Sequence, residues 1–225
     1  MNALALAAII AAALLAIPAL LILVALARAL LTRPTPAATA LRPKADPARA
    51  RRYAEDLALL VRHETVSSRD EHSRDKFLPF HDSLQAMFPA LHRACDKTVL
   101  NGSLLFKLAG SEPGRRLPVL LMSHHDVVEA QGEWKHPPFS GDIAEGKVWG
   151  RGTVDTKGSL YCMLRALEEL LEEGWRPRTD VYIASSCTEE WSGEGAPLTV
   201  DYLKKNGVRL GDRKSTRLNS SHRIR

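Results

Sequence analysis

Two apolar, strand-like runs end in polar motifs, and a third motif opens the helix between them. The run Val119–Met122 leads into SHHDVV, the run Val181–Ala184 leads into TEEWSG, and GRGTVDTKG lies between. Side chains at the carboxyl ends of neighbouring strands in an α/β sheet converge on one crevice, where such folds bind ligands. The side chains that we expect to meet there are His124, Asp126, Asp155, Glu189 and Glu190.

The strongest helix pattern spans Asp155–Glu173 and ends at Gly174. Its predicted buried stripe consists of Leu160, Met163, Leu164, Leu167, Leu170 and Leu171. Further amphipathic helices are predicted from Pro47 to about His63 and over about Asp75–Met87, with a short helix near Val200–Asn206. The succession of strands and helices predicts an α/β fold, with a mainly parallel sheet covered by helices.

The N-terminal stretch Ala3–Ala27 has no charged residue and is long enough to cross a bilayer as a helix. We favour a single membrane anchor, because no Lys or Arg precedes the apolar run. A cleaved signal peptide is the open alternative, since Ala25-Leu26-Ala27 resembles a cleavage site. The pattern leaves the side of the membrane on which the folded part lies undecided.

The net charge of +5 is unevenly distributed and argues against nucleic-acid binding. The block Arg28–Arg52 has a net charge of +6, and Arg213–Arg225 contains five basic residues and no acidic one. The stretch Tyr53–Asp212 between them has a net charge of −6. The folded part therefore lacks the basic surface that phosphate binding requires.

Cysteine and scattered histidine residues do not form a recognisable site. Three cysteines without a C-x-x-C spacing predict neither a disulfide framework nor a cysteine-rich zinc site. Cys187 is interpreted as a small buried residue rather than as a ligand or nucleophile. Four histidines lack ligand spacing and are assigned to the surface or the core: His63, His72, His81 and His92.

The three motifs contain the residue types of a metal site. A histidine can bind a cation while a nearby carboxylate, such as Asp126 beside His124, accepts its other N–H. The adjacent pair Glu189-Glu190 follows a buried strand, where two like charges are costly unless a cation or a proton neutralises one. A zinc site does this, with one carboxylate as ligand and the other as general base.

The motifs resemble those of the di-zinc metallopeptidases that include aminoacylase, carboxypeptidase S, glutamate carboxypeptidase and succinyl-diaminopimelate desuccinylase. The resemblance covers about Tyr53–Gly211 and is closest to the carboxypeptidase S branch. It implies a three-layer α/β/α catalytic domain, two Zn²⁺ ions as cofactors, and hydrolysis of the amide bond of a peptide or N-acyl amino acid.

The resemblance also implies a role for each motif residue. His124 is similar to a ligand of one zinc, and Asp126 to the carboxylate that orients it. Asp155 matches the carboxylate that bridges both metals, Glu189 the general base, and Glu190 a ligand of the second zinc. The family pattern further implies a cis peptide bond between Asp155 and Thr156.

The chain departs from the family pattern in its C-terminal part. The aspartate and histidine that would complete the two zinc sites are not identifiable, and the inserted lid domain is absent; His222 is not taken as the missing ligand. We therefore expect an amino-terminal fragment without hydrolase activity. The expected parts are a transmembrane anchor or signal segment (1–31), a Pro-rich linker (32–47), a partial zinc-peptidase domain (48–211) and a non-native tail (212–225).

Two other classes of function stay open at this point. The same fold could serve as a non-catalytic metal-binding or interaction module, which zinc binding without amidase activity would reveal. A nucleic-acid or membrane-surface binder with a basic tail is disfavoured by the charge distribution. Substrate identity and oligomeric state cannot be derived from the residues.

Overall fold

The computed structural model describes residues 3–31, 46–71, 73–210 and 212–215. The chain divides into two compact units between Ala45 and Asp46. The described part of the first unit is the helix α1 (Ala3–Leu31), whose side chains from Leu14 onward are exposed. The window Leu14–Leu31 is long and apolar enough to cross a membrane, a property that an N-terminal signal sequence shares.

The second unit is an α/β domain. Its helices are α2 (Pro47–Val61), α3 (Leu78–Met87), α4 (Pro89–Ala94), α5 (Lys157–Glu172) and α6 (Gly195–Lys205), with a 3-10 turn at Asp75–Phe77 before α3. Its strands are β1 (Cys95–Leu100), β2 (Ser103–Leu108), β3 (Val119–His124), β4 (Asp142–Ala144), β5 (Lys147–Trp149), β6 (Val181–Ser186) and β7 (Asp212–Ser215).

The main sheet is mixed, so the prediction of a mainly parallel sheet is wrong for one half of it. The strand order is β1-β2-β6-β3-β7, and β4 pairs with β5 in a separate ribbon. Strands β6 and β7 run parallel to β3, whereas β2 is antiparallel to both β1 and β6. Asn101 and Gly102, with φ of 45° and 82°, connect β1 and β2 by a two-residue turn, which can join only antiparallel neighbours.

Helices cover both faces of the sheet, as expected for an α/β/α arrangement. Phe106 and Ile183 point to the face covered by α2 to α5, and Leu105 and Tyr182 point to the opposite face, where Leu203 of α6 packs. The two faces are separated because neighbouring residues of a strand point to opposite sides.

The helix α5 forms from the predicted stripe but begins at Lys157, two residues after the predicted start. Of the predicted stripe, Leu160, Met163, Leu164 and Leu167 are buried, and Leu170 and Leu171 are half-buried. Gly174, at φ 82°, follows the helix as predicted, because glycine adopts the left-handed conformation without a steric penalty.

Within the stretch assigned to the catalytic domain, the helix α4 and the strand β1 were missed in the sequence, and the helix α6 was only partly recognised. The six-residue helix α4 is too short for a clear period, and the edge strand β1 buries only Cys95 and therefore lacks an apolar run. The helix α6 begins at Gly195, five residues earlier than predicted.

The linker and tail assignments fall mostly outside the described residues. The residues outside them include 32–45, His72, Gly211 and 216–225. His222 belongs to the last of these ranges. Asp212–Ser215, which we assigned to the tail, pair with β3 as strand β7. The non-native origin of residues 212–225 stays a prediction.

The buried carboxylate of Glu168 connects α5 to α4. Its two oxygens accept the backbone N–H groups of Ala90 and Leu91 over 2.8 and 2.7 Å. These groups belong to the first turn of α4, whose N-cap residue Phe88 provides no side-chain hydrogen bond. Glu168 therefore supplies from another helix the acceptors that a helix N-terminus needs.

The change Glu168→Gln should lower the free energy of unfolding by about 2 kcal/mol, because the amide NH₂ group would face a backbone donor and leave it unpaired. Urea denaturation monitored by circular dichroism measures this difference. The control is Glu172→Gln, which alters an exposed residue of the same helix. Equal stability of the two variants would contradict the role of Glu168.

Candidate metal centre

The parallel pairing of β3 and β6 brings two of the polar motifs to the same edge of the sheet. His124 lies opposite Ser186 in this register, and the amide of His125 donates to the Ser186 carbonyl over 2.9 Å. The residues Cys187–Glu194, which we call the acidic loop, follow β6 directly. SHHDVV and the start of TEEWSG therefore meet, as the order of strands and motifs predicted.

Asp126 is fully buried and contacts three separate segments of the chain. Its Oδ2 accepts hydrogen bonds from the hydroxyl of Ser67 over 2.7 Å and from the backbone N–H of Glu190 over 3.1 Å. Its Oδ1 lies 3.3 Å from His124 Nδ1. Ser67 was not identified in the sequence, because it lies far from the motifs and follows a helix with no distinctive spacing.

The imidazole of His124 is oriented by Asp126. Its Nδ1 lies 3.0 Å from the backbone carbonyl oxygen of Asp126, so Nε2 faces the carboxylates on the other side. Nε2 is 3.1 Å from Asp155 Oδ1 and 3.6 Å from Glu189 Oε2. A histidine held in this way at one ring nitrogen presents the other to a metal ion.

The GRGTVDTKG segment brings Asp155 to this edge through a closely packed turn. A Cβ atom on Gly152 would lie 2.6 Å from a methyl group of Val127, and the φ of 86° also favours glycine there. The peptide bond between Asp155 and Thr156 is cis, as the resemblance implied. The Oγ atom of Ser123 in β3 lies 3.1 Å from Thr156 Oγ1, which places the turn beside the strand end.

Lys157 in the same motif is a buried cation that the sequence analysis did not single out. Its Nζ donates to the carbonyl oxygens of Leu60 over 3.2 Å and His63 over 2.6 Å, at the C-terminal end of α2. Burial lowers the pKa of Lys157 to about 7. Lys157 therefore joins the start of α5 to the end of the helix that precedes Ser67.

The acidic loop folds back on itself and holds both of its glutamates near His124. The amide of Ser192 donates to the Glu189 carbonyl over 2.9 Å, and the amide of Gly193 donates to the Thr188 carbonyl over 2.8 Å. Glu189 and Glu190 are half-buried, so their carboxylates lie at the edge of the crevice rather than in the core.

The arrangement of donor atoms fits a divalent metal ion. His124, Asp155 and Glu190 each offer one ligand atom, and these atoms lie within 4.8 Å of one another. A ring nitrogen and carboxylate oxygens are ligands that zinc accepts at about 2 Å. The structure thus brings together the predicted side chains, while their roles as ligands stay predictions.

Electrostatics in the metal-free site favour a positive charge between the carboxylates. Burial lowers the pKa of His124, but the hydrogen bond and charge of Asp126, with Glu189, outweigh it and raise that pKa to about 9. Burial raises the pKa of Asp126, but hydrogen bonds from His124, Ser67 and the Glu190 amide bring it below its usual value. Burial and the neighbouring acids raise the pKa of Glu190.

The remaining candidates do not belong to this group. Cys187 is fully buried with its Sγ 3.4 Å from Ser103 Oγ, and burial raises the pKa of its thiol, as expected for a core cysteine. His81 is buried, and His63 and His92 are half-buried. Within the described residues, none of these histidines joins the metal group.

Comparison with known proteins identifies the family. Residues 120–216 match the model described as Peptidase family M20/M25/M40. The chain is 34% identical over 163 residues to probable carboxypeptidase S-like 2 of Dictyostelium discoideum, covering 69% of this chain. The chain belongs to the M20/M25/M40 peptidase family. The predicted resemblance is thereby confirmed.

The match spans only part of the length of each relative. The match spans 31% of the Dictyostelium protein. The chain is also 40% identical over 156 residues to the N-fatty-acyl-amino acid synthase/hydrolase PM20D1 of Xenopus tropicalis, covering 67% of this chain and 30% of that protein. The chain therefore spans less than a third of either relative.

A solved M20 structure shares the fold. The M20 family metallo-carboxypeptidase Sso-CP2 from Sulfolobus solfataricus superimposes with a TM-score of 0.58 at 18% sequence identity. The superposition covers 72% of this chain and 36% of that chain. At this identity the likeness shows the α/β fold alone.

A pair of buried histidines lies behind the site. His125 is fully buried, its Nδ1 lies 2.8 Å from Ser185 Oγ, and its Nε2 lies 3.5 Å from His81 Nε2. Burial lowers the pKa of His81 to about 4 and moves the pKa of His125 well below its usual value. Both rings are therefore neutral in the folded protein at neutral pH.

The protein should lose stability as the pH falls from about 6.5 to 4, because His81 binds a proton more readily in the unfolded chain. The expected loss from His81 is roughly 3 kcal/mol, and His81→Leu should remove this contribution while that of His125 remains. Urea denaturation at several pH values and an NMR titration of the ring measure both quantities. A His81 titration midpoint near 6.5 would contradict the account.

Proposed function

We propose that this chain contributes the metal-binding part of a zinc-dependent hydrolase, which cleaves amide bonds in peptides or N-acyl amino acids. The observation that carries the proposal is the group of His124, Asp155 and Glu190 with Glu189 beside it. Membership of a peptidase family supports a hydrolytic reaction. The named activities of the two relatives, a carboxypeptidase-like protein and an N-fatty-acyl-amino acid hydrolase, suggest the two substrate classes.

The side chains divide the chemistry among them. Asp155 would contact both zinc ions, His124 one of them and Glu190 the other, while buried Asp126 keeps His124 oriented. Bound zinc polarises a carbonyl group and lowers the pKa of water. Glu189, whose Oε2 lies 3.6 Å from His124 Nε2, would accept a proton from the attacking water and return it to the leaving amine. The products are a carboxylic acid and an amine.

A groove beside the metal group could receive the substrate. Its lining residues are Ser67, Val128, Glu129, Gln131, Arg151, Glu190 and Trp191. It combines an apolar contact, from the 41% exposed Val128, with the cation of Arg151. Because Glu129 and Glu190 also line the groove, Arg151 is the one lining residue that could pair with an anionic group of a substrate.

We also propose that α1 anchors the protein to a membrane as a single span. The support is its apolar window Leu14–Leu31 and the absence of charged residues from Ala3 to Ala27. A cleaved signal sequence is the alternative, and it would lead to secretion.

The activity test compares this chain with a longer protein that continues through the segments its relatives possess. The 225-residue chain should bind zinc weakly and show no measurable hydrolysis, since its described residues supply two side chains to each zinc, fewer than a stable site uses. The longer protein should hydrolyse N-acetyl and long-chain N-acyl amino acids or a dipeptide. Glu189→Gln should lower its rate by about 10²-fold or more.

The control for this test is Glu173→Gln, which changes an exposed glutamate at the end of α5. Zinc binding without any hydrolysis by the longer protein would favour a non-catalytic metal-binding module. Hydrolysis by the 225-residue chain that depends on Glu189 would contradict the expected inactivity. A longer protein with unchanged activity after Glu189→Gln would overturn the proposed base.

A further inference from the structure

Hydrogen bonds from its backbone amides hold the acidic loop at its start and in its middle. At the start, the amide of Cys187 donates to Ser103 Oγ over 3.2 Å. In the middle, the amide of Glu190 donates to Asp126. The far end of the loop is fixed by a different residue, Arg74, which lies 120 positions before Glu194 in the sequence.

Arg74 is a nearly buried cation against the acidic loop. Its side chain is 10% exposed, and its Nη2 donates to Glu194 Oε1 over 2.8 Å. Its Nη1 donates to the backbone carbonyl of Glu71 over 2.7 Å, which fixes the other side of the guanidinium. The guanidinium carbon lies 5.9 Å from the centre of the Trp191 ring, a distance at which a cation and an aromatic face attract each other.

The partner Glu194 is held from two sides. Asn101 in the β1–β2 turn donates its amide N–H to the same Oε1 over 2.9 Å. The hydrogen bond from Arg74 lowers the pKa of Glu194, so the carboxylate stays ionised. The end of the acidic loop is therefore linked to the segment before α3 and to the edge of the sheet.

The aliphatic part of the Arg74 side chain packs against Gly102 in the β1–β2 turn. A Cβ atom on Gly102 would lie 2.9 Å from Arg74 Cβ and 3.0 Å from Cys187 Sγ. The arginine stem thus passes directly over the β1–β2 turn, and its position is set by packing as well as by hydrogen bonds. Glutamine at this position would keep the Cβ and Cγ atoms that pack here but would lose the guanidinium hydrogen bonds.

We propose that Arg74 is a positioning residue for the metal centre. Trp191 follows Glu190 directly and Glu194 ends the loop, so the contacts of Arg74 lie on the C-terminal side of both functional glutamates. Without them Glu194 would keep only its hydrogen bond from Asn101 among those described, and the carboxylates of Glu189 and Glu190 would sample other positions. This inference rests on the proposed metal site for its effect on zinc, but not for its effect on the loop.

Zinc titration by calorimetry tests the effect on the site. Arg74→Gln and Glu194→Ala should each weaken zinc binding by about tenfold or more, as other residues that orient metal ligands do. The zinc affinity of Arg74→Lys should fall between those of these variants and of the unmodified protein. Lysine keeps the charge, but its single nitrogen cannot reproduce the two-nitrogen geometry that contacts both Glu194 and the Glu71 carbonyl. The control is Lys76→Gln, which removes an ion pair to Glu71 that does not contact the acidic loop.

Hydrogen exchange in the metal-free protein tests the effect on the loop. The amides of Ser192 and Gly193 should exchange about tenfold faster in Arg74→Gln and Glu194→Ala than in the Lys76→Gln control, while amides of β3 stay protected. Equal exchange rates and equal zinc affinity in folded Arg74→Gln or Glu194→Ala would overturn the proposal. If Arg74→Gln does not fold, Glu194→Ala decides, since that side chain is 34% exposed.

These measurements separate the two proposals. An unmodified protein that binds no zinc would contradict the proposed metal site, while the exchange rates would still decide the role of Arg74. Zinc binding by the unmodified protein, with equal zinc affinity and equal exchange rates in the folded variants, would contradict the role of Arg74 alone.

Discussion

The buried carboxylate of Asp126 joins three parts of the chain that are far apart in sequence. It accepts a hydrogen bond from Ser67 after α2, accepts another from the Glu190 amide in the acidic loop, and faces His124 at the end of β3. A fully buried carboxylate is costly unless such partners satisfy its oxygens. The geometry of the candidate metal centre therefore depends on the correct approach of all three segments.

Separate contacts in the surrounding fold fix the positions of the acidic loop and of the segment that leads to Ser67. The parallel register of β3 and β6 sets the start of the acidic loop, and the bonds from Lys157 to the end of α2 set the segment that leads to Ser67. Arg74 holds the other end of the loop. A site built on rigid elements keeps several carboxylates close together before a cation binds, which is the arrangement that metal ions require.

Much of this site could be predicted because its motifs lie near the ends of apolar runs or at a helix start. The apolar pattern indicates that His124, Asp155 and Glu190 meet at one edge of the sheet, whereas their roles as ligands were implied by the resemblance to a family. Ser67 and Arg74 could not be predicted in the same way, since their roles depend on contacts with residues 59 and 120 positions away. The antiparallel half of the sheet was missed for a related reason, because an edge strand such as β1 buries few side chains and shows no apolar run.

Diffraction from zinc-soaked crystals, measured at the zinc absorption edge, tests the central claim most directly. The account predicts two anomalous peaks, each about 2 Å from a carboxylate oxygen of Asp155, one of them also about 2 Å from His124 Nε2 and the other about 2 Å from a carboxylate oxygen of Glu190. It also predicts that Asp126 remains on the opposite side of the His124 ring and does not contact the metal. A strongest zinc peak elsewhere on the protein, or His124 turned away from Asp155 and the acidic loop, would contradict the account.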